Sequence, residues 1–250
     1  MATLFFSVLG NLTIVVCTLF WAIPSFLLGW IPPRGTVTFW CARAWAWCLL
    51  VGCGLRVRVV RDPAVERRGH YVFMANHQSL FDIPLLIATL PGQTRFLAKR
   101  SLFRIPIFGW AIAAGGFIPV DREDKSKARE MFATAIARAQ SGVSLLVFPE
   151  QTRSLDGQLL PFQRGGFLLA MKAGLPIVPV GIRGTFGVQQ KRSFLIHPGT
   201  VEVHYGAPIP TTEVDVRRKR DLVETTRARI AELAGLAPPA VAEAAAQSEV

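Results

Sequence analysis

The sequence predicts an α/β protein, a mixed sheet with flanking helices, preceded by an N-terminal hydrophobic two-helix membrane motif. Three observations support this prediction. The first 33 of the 250 residues contain no charged side chain. A second apolar stretch, residues 36–55, is interrupted only by Arg43. From Arg56 onward, short apolar runs alternate with stretches of helical periodicity, which is typical of helices packed on the faces of a sheet.

The two apolar stretches predict a helical hairpin at a lipid bilayer. A helix of about 20 apolar residues matches a hydrocarbon core of about 30 Å. Residues 31–35 between the stretches predict a tight turn. Pro24 in the first stretch and Arg43 in the second weaken a double span, which favours a hairpin that enters one leaflet but leaves a spanning hairpin open. The dense arginine population after residue 55 predicts that the rest of the chain is cytoplasmic.

Composition divides the chain into three parts: a membrane-anchoring hairpin at 1–55, a catalytic α/β domain at 56–236 and an Ala/Pro-rich flexible tail at 237–250. All four cysteines lie in the hairpin without a CxxC pair or a histidine among them, which argues against a metal site. The formal net charge of +11 favours an anionic partner. Nucleic acid is rejected as that partner, because no reading module is present and the hydrophobic N-terminus would have no role.

Within the second part, apolar runs and helical periodicity predict the individual elements. The predicted strands are 70–75, 95–98, 116–120, 143–148, 177–182 and 200–205. The predicted helices are 83–89, 107–114, 125–140, 165–173 and 221–234.

The most informative segment is NHQSLFD, residues 76–82, at the end of a predicted strand and the start of a predicted helix. Five residues advance a helix by about 500°, so His77 and Asp82 cannot share one face of a continuous helix. With His77 in the loop and Asp82 in the first helical turn, the carboxylate can instead reach back to the imidazole. That pair predicts a general base without a nucleophilic serine. Alternatively, Asp82 only caps the helix and His77 is structural, and the segment alone leaves both interpretations open.

Three further segments follow in order along the chain. Residues 115–122, GGFIPVDR, deliver Arg122 after a predicted strand. Residues 148–153, FPEQTR, follow the strand predicted at 143–148, at the carboxyl end where α/β folds place ligands. Residues 174–180, GLPIVPV, predict an apolar strand edged by prolines.

Together with residues 76–82, these segments resemble the sequence blocks of the 1-acyl-sn-glycerol-3-phosphate acyltransferase family. The resemblance covers about residues 71–184, and the hydrophobic hairpin is similar to that of bacterial members. It implies a glycerolipid acyltransferase-like fold and acyl transfer from acyl-CoA or acyl carrier protein to a lysophospholipid hydroxyl. The implied acceptor is lysophosphatidic acid, acylated at its sn-2 hydroxyl to phosphatidic acid. The implied location is the cytoplasmic (inner) membrane, with the catalytic domain facing the cytoplasm.

The resemblance also implies roles for single residues. His77 matches the general base, and Asp82 matches the carboxylate that orients it. The residues implied in substrate binding are Lys99, Gly116, Arg122, Glu150 and Arg153. Guanidinium groups bind phosphate oxygens bidentately, which suits a phosphomonoester acceptor. No cofactor or metal is implied beyond the acyl donor.

One departure from the family pattern is Gln151, where the third block usually has glycine. Glycine permits positive φ or a close approach of the backbone, which glutamine does less readily. Either the backbone here never needs that freedom, or the acceptor pocket differs. Another lyso-acceptor, such as lyso-ornithine lipid or a remodelled lysophospholipid, therefore stays open. A non-catalytic anionic-lipid-binding protein with this fold is the alternative from another class.

Three smaller expectations concern the oxyanion, the esterase alternative and the remaining histidines. Acyl transfer passes through a tetrahedral oxyanion, and backbone N–H groups near the start of the helix after His77 are the candidate donors. The sequence has no G-x-S-x-G segment, which argues against an esterase of the α/β-hydrolase type. His70, His197 and His204 have no suitable partner spacing and are expected to be structural.

Overall fold

The computed structural model describes residues 2–29, 31, 35–120, 128–212 and 219–237. Within these ranges a seven-stranded sheet lies at the centre. Its strands are β1 (Leu55–Arg61), β2 (Val72–Ala75), β3 (Thr94–Lys99), β4 (Ile118–Val120), β5 (Ser144–Val147), β6 (Ile177–Arg183) and β7 (Gly199–Tyr205). They lie in the order β1-β7-β6-β2-β5-β3-β4. Neighbours run parallel except β6 and β7, which are antiparallel, so the sheet is mixed as predicted.

Eight α-helices and one 3-10 helix accompany the sheet in the same part of the chain. The α-helices are α1 (Ala2–Leu28), α2 (Thr36–Gly52), α3 (Asp82–Thr89), α4 (Phe108–Ala114), α5 (Ala128–Gln140), α6 (Gly165–Ala173), α7 (Thr185–Val188) and α8 (Lys219–Ala234). The 3-10 helix is Arg100–Arg104. The helix predicted at 125–140 is described from Ala128 onward, and residues 125–127 lie outside the described ranges.

The central strand β2 separates two apolar layers. Its side chains alternate between the faces of the sheet, as strand geometry requires. Phe73 and Ala75 belong to the cluster that α2 and α3 cover, whereas Val72 and Met74 belong to the cluster that includes residues of α5, α6 and α8. All four side chains are fully buried, which fixes the register of the strand that leads into residues 76–82.

Strand β1 was not among the predicted strands. It pairs in parallel with β7 along its whole length, from Leu55 opposite Gly199 to Arg61 opposite Tyr205. Arg56 and Arg58 are exposed and alternate with Leu55 and Val57 along the strand. Charged side chains on an edge strand discourage pairing with a further chain. The two arginines have this effect on β1, which lies at one edge of the sheet.

The N-terminal hairpin packs directly on the α/β unit. Ala46, Leu50 and Cys53 near the end of α2 belong to the core cluster on the β2–α3 side. Arg43, which interrupts the second apolar stretch, donates to the carbonyls of Ile87 and Leu90 at the carboxyl end of α3. A cation at that end interacts favourably with the helix dipole. The positive charge of Arg43 is therefore stabilised by the carboxyl end of α3.

By length and composition, α1 is the one helix of the described residues that could cross a membrane, over Thr3–Leu28. Pro24 lies within it without ending it. The second helix has 17 residues. The predicted domain boundary after residue 55 and the predicted tail at 237–250 stay predictions; residues 238–250 lie outside the described ranges.

Candidate active site

The site forms where β2 and β5 end. These strands are parallel neighbours, with Met74 opposite Val147, so the segments that follow them meet at one edge of the sheet. Asn76 fixes the end of β2 through both atoms of its side-chain amide. The amide nitrogen donates to the carbonyl of Ile182 at 3.1 Å, and the amide oxygen accepts from the N–H of Ile182 at 2.7 Å. His77 therefore leaves the sheet in a defined direction.

The imidazole of His77 contacts both segments. Its Nδ1 lies 2.8 Å from Oδ2 of Asp82. Its ring stacks on Phe148, with centroids 4.0 Å apart and planes at 19°. The side chain of His77 is 12% exposed, and that of Asp82 is fully buried. When Nδ1 donates its proton to the carboxylate, Nε2 is left unprotonated, which is the state that a general base needs.

Asp82 also organises the loop between the two residues. Its Oδ2 accepts the N–H of Gln78 at 2.7 Å and the N–H of Ser79 at 2.8 Å. The N–H of Phe81 donates to Oγ of Ser79 at 3.3 Å. These amides precede the helix and were the candidate oxyanion donors, but they are already engaged. These three groups are therefore not free oxyanion donors, because the carboxylate of Asp82 accepts two of them and the hydroxyl of Ser79 accepts the third.

Glu150 accepts a hydrogen bond from the backbone at the start of the same loop. Its Oε1 accepts the N–H of His77 at 2.7 Å, and its Oε2 accepts the N–H of Leu160 at 2.8 Å. Burial raises the pKa of Glu150 to about 7; the two backbone hydrogen bonds oppose that shift, and the charge of Asp82 adds to it. Both oxygens of this buried carboxyl thus accept backbone hydrogen bonds. Glu150 therefore holds the backbone at His77 and at Leu160.

His77 lines a cavity of about 440 Å³ with two kinds of wall. The polar wall consists of His77, Lys99, Gln151, Thr152, Arg153 and Lys191. The apolar wall is built by α1, α2, α4 and the segments around β3, and includes Trp21, Ala42, Trp45, Phe96, Ala111, Ile112 and Phe117. A reactive imidazole, three basic side chains and an extended apolar surface thus meet in one space.

Only some of the residues predicted for substrate binding lie in this wall. Lys99 and Arg153 do, and burial lowers the pKa of Arg153 while the charge of Asp82 opposes that shift. Gly116 lies outside the wall: it has φ +71 in the turn before β4, which accounts for glycine there. Glu150 lies behind the wall, and Arg122 falls outside the described residues. No group of three or more His, Cys, Asp or Glu in the described residues could hold a metal ion.

Lys191 is a residue of the wall that the sequence did not single out. Its Nζ donates to Oγ1 of Thr152 and to the carbonyl of Arg153, both at 2.9 Å. It lies after α7, outside the four blocks, so no spacing pointed to it.

The backbone of Gln151 resolves one alternative that the sequence left open. With φ +57, Gln151 occupies the left-handed region, so the backbone here does need the freedom that glycine offers.

Comparison with known proteins places this geometry in a family. A sequence profile described as Acyltransferase matches residues 56–183. A 1-acyl-sn-glycerol-3-phosphate acyltransferase from Saccharomyces cerevisiae is 30% identical over 224 residues, 88% of this chain and 74% of the yeast protein. The chain belongs to the 1-acyl-sn-glycerol-3-phosphate acyltransferase family. A member from Salmonella typhimurium is 32% identical over 186 residues, 72% of this chain and 75% of that protein.

Plant members of the family are longer than this chain. A chloroplastic 1-acyl-sn-glycerol-3-phosphate acyltransferase from Brassica napus is 35% identical over 163 residues, which are 64% of this chain and 45% of the plant protein. This chain therefore spans about half the length of the plant relatives that it matches.

The fold is shared with a solved member of the family. The crystal structure of the 1-acyl-sn-glycerophosphate (LPA) acyltransferase PlsC from Thermotoga maritima matches with a TM-score of 0.75 at 24% identity. The match covers 93% of this chain and 96% of the other. The predicted fold class, including its likeness to glycerolipid acyltransferases, is confirmed.

Proposed function

We propose that this protein transfers a fatty acyl chain from acyl-CoA or acyl carrier protein to the sn-2 hydroxyl of 1-acyl-glycerol 3-phosphate, forming phosphatidic acid. The observation that supports this best is the composition of the cavity. His77, the cations Lys99, Arg153 and Lys191 and a continuous apolar wall line the same space. An acceptor with a phosphate, a free hydroxyl and one acyl chain needs those three chemistries together.

In the proposed mechanism His77 is the general base. Its Nε2 removes the proton from the acceptor hydroxyl as the oxygen attacks the thioester carbonyl of the donor. Asp82, 2.8 Å from Nδ1, stabilises the imidazolium that forms. When the tetrahedral intermediate collapses, the C–S bond breaks and the imidazolium gives its proton to the leaving thiolate. No acyl-enzyme forms, because the hydroxyl of the acceptor is itself the nucleophile.

The basic side chains of the polar wall would bind the phosphate of the acceptor. Charge-assisted hydrogen bonds to phosphate are stronger than neutral ones, and a guanidinium can form two at once. Arg153 has no hydrogen-bond or ion-pair partner for its guanidinium among the described residues. It is therefore available to a ligand, whereas Lys191 is already tied to Thr152. The apolar wall would accept the acyl chain.

We also propose that α1 lies within one leaflet and that the α/β unit faces the cytoplasm. Near its start, Asn11 of α1 donates to the carbonyl of Phe194 at 2.9 Å. Near its end, the ring of Phe26 lies 5.7 Å from that of Trp110 in α4. These contacts are separated by about 22 Å of helix at 1.5 Å per residue. If α1 crossed the bilayer, this length of about 22 Å would lie in the hydrocarbon core and could not also contact the folded α/β unit. The two contacts therefore favour a position of α1 within one leaflet.

The proposal is tested by acyl transfer with the purified full-length protein in detergent. Labelled acyl-CoA and acyl carrier protein are offered with a panel of lyso-acceptors, and conversion of 1-acyl-glycerol 3-phosphate is expected. His77→Ala should lower kcat by about 100- to 10,000-fold, whereas His204→Ala should not lower it. Transfer only to another lyso-lipid would overturn the acceptor and keep the chemistry. No transfer from a folded preparation, or equal transfer by His77→Ala, would overturn the catalytic proposal.

A further inference from the structure

The segment between α7 and β7 presents two apolar side chains to solvent. Phe194 is 82% exposed, more than any other large apolar side chain in the described residues, and the adjacent Leu195 is 45% exposed. Lys191 and Arg192 precede them, separated from Phe194 by Ser193. Residues 191–195 are called the KRSFL loop below. Neighbouring aromatic, aliphatic and basic side chains are the composition that binds the surface of an anionic bilayer.

The exposure of this loop does not come from lack of structure. The N–H of Ile196 donates to Oγ of Ser7 at 3.0 Å, and Nδ2 of Asn11 donates to the carbonyl of Phe194 at 2.9 Å. Ile196 is fully buried. Ser7 and Asn11 are one turn apart on α1, so two of the few polar side chains of this mainly apolar helix hold the loop. Phe194 is fixed in an exposed position beside the membrane helix.

We propose that the KRSFL loop is a second membrane-binding element, which inserts Phe194 and Leu195 into the leaflet occupied by α1. Lys191 and Arg192 would lie at the level of anionic lipid headgroups. This inference rests on the proposed membrane association of α1, to which the loop is bonded. Its occupant is a bilayer that contains anionic lipid, because the cations beside the apolar pair complement that charge.

The same loop reaches the active site through Lys191. Its Nζ bonds to Thr152 and to the carbonyl of Arg153 in the polar wall. Arg192, with φ +70, turns the chain between this contact and Phe194. Insertion of the loop would therefore place the polar wall next to the headgroups, where the phosphate of a lyso-acceptor lies. The loop would deliver lipid-embedded acceptor to the site.

Insertion can be measured without any acyl transfer. An environment-sensitive fluorescent amino acid replaces Phe194 in the full chain, and a matched variant carries it at Val60, which is 53% exposed on edge strand β1. Each protein is reconstituted in vesicles of phosphatidylcholine with and without phosphatidylglycerol, after flotation has shown that it binds lipid. We expect a blue shift and quenching by brominated lipid for position 194, stronger with phosphatidylglycerol, and neither for position 60.

The outcomes separate the inference from the proposal on which it rests. If the protein floats with lipid but position 194 is not quenched, the loop does not insert and the inference is overturned, while membrane association stands. Acyl carrier protein is added to the same labelled protein as a further sample. A blue shift at position 194 with acyl carrier protein but not with vesicles would identify a protein partner in place of the bilayer and overturn the inference as well. If the protein does not float with lipid, both the inference and the membrane association are overturned.

A kinetic experiment completes the test. The double variant Phe194→Ser/Leu195→Ser removes the apolar pair and leaves the anchoring residues Ser7 and Asn11 in place. Its activity on acceptor in anionic vesicles, divided by its activity on acceptor in detergent micelles, should fall about tenfold or more, because two apolar groups no longer insert. Val60→Ser should leave the ratio unchanged. An unchanged ratio in the double variant would overturn the inference.

Discussion

Two histidine–carboxylate pairs of similar geometry occur in different regions of this molecule. In the first, Nδ1 of His77 lies 2.8 Å from Asp82; in the second, Nε2 of His204 lies 3.0 Å from Glu202 on strand β7. Asp82 is fully buried, whereas the side chain of Glu202 is 27% exposed. The distance between ring and carboxylate is thus nearly the same, and the pairs differ in the ring nitrogen that makes the contact and in their surroundings.

The surroundings differ in what else contacts each carboxylate. Oδ2 of Asp82 also accepts two backbone N–H groups, and its histidine lines the cavity. Glu202 instead faces Arg58, itself 73% exposed, at 3.5 Å. The hydrogen bond from His204 lowers the pKa of Glu202, and the charge of Arg58 contributes. On the proposed mechanism, the catalytic pair is therefore distinguished by its backbone hydrogen bonds and by the cavity that its histidine lines.

The largest effect that tests this distinction is expected from Asp82→Asn. The amide keeps the size of the side chain but removes the charge that stabilises the imidazolium, so kcat should fall about 100- to 10,000-fold with little change in the KM for the acceptor. Steady-state kinetics on the full-length protein measure both constants.

The matched variant is Glu202→Gln, which makes the same chemical change in the second pair. It should retain full activity because His204 does not line the cavity that contains His77. Equal losses in the two variants would mean that the carboxylates act through stability, and the distinction between the pairs would fail.

A smaller effect is expected from Arg153 near the first pair, and none from Arg58 near the second. Arg153→Ala removes a cation from the polar wall and should raise the KM for a phosphate-bearing acceptor about ten- to a hundredfold, the range for a charged hydrogen bond of about 1.5–3 kcal/mol. Arg58→Ala removes the cation beside Glu202 and should leave every kinetic constant unchanged. The readout is the KM for the acceptor at saturating donor, and an unaltered value in Arg153→Ala would remove this residue from phosphate binding.

The smallest expected effect concerns Glu150, which has no counterpart in the second pair. Two backbone N–H groups need both of its oxygens, and glutamine offers only one acceptor. Glu150→Gln should therefore lower the free energy of unfolding by about 1–3 kcal/mol. Denaturant unfolding in detergent below pH 4.5 measures this loss, with Glu202→Gln, whose side chain is 27% exposed, as the less buried control.

The pH dependence of stability gives an independent test of Glu150. Because burial raises its pKa from 4.5 to about 7, the folded protein binds a proton that the unfolded chain has released across this window. The contribution of Glu150 to the free energy of unfolding should therefore decrease as the pH rises from about 4.5 to about 7. Glu150→Gln should lose this part of the slope, and an unchanged slope would contradict the raised pKa.

The sequence predicted the fold and the first pair because both depend on local signals. Alternating apolar runs located β2 to β7. A histidine in the loop before a helix start made the contact between His77 and Asp82 possible, and the resemblance to the family favoured it over a helix cap. Strand β1 was missed although Leu55, Val57 and Val59 alternate with Arg56 and Arg58, because its arginines were interpreted only as the basic start of the cytoplasmic part. Lys191 was missed because only the tertiary fold brings it to Thr152.

The packing of α2 has a consequence for how this protein can be produced and how it could have evolved. Residues of its last turns belong to the same core as strand β2, so a shortened chain that begins at Arg56 would lack part of its own interior. Removing such a segment would expose buried faces of α3 and the sheet, and the shortened chain should aggregate on expression. A soluble descendant would need a repacked interior as well as a lost anchor. Folding of this chain therefore depends on the same hairpin that is proposed to attach it to lipid.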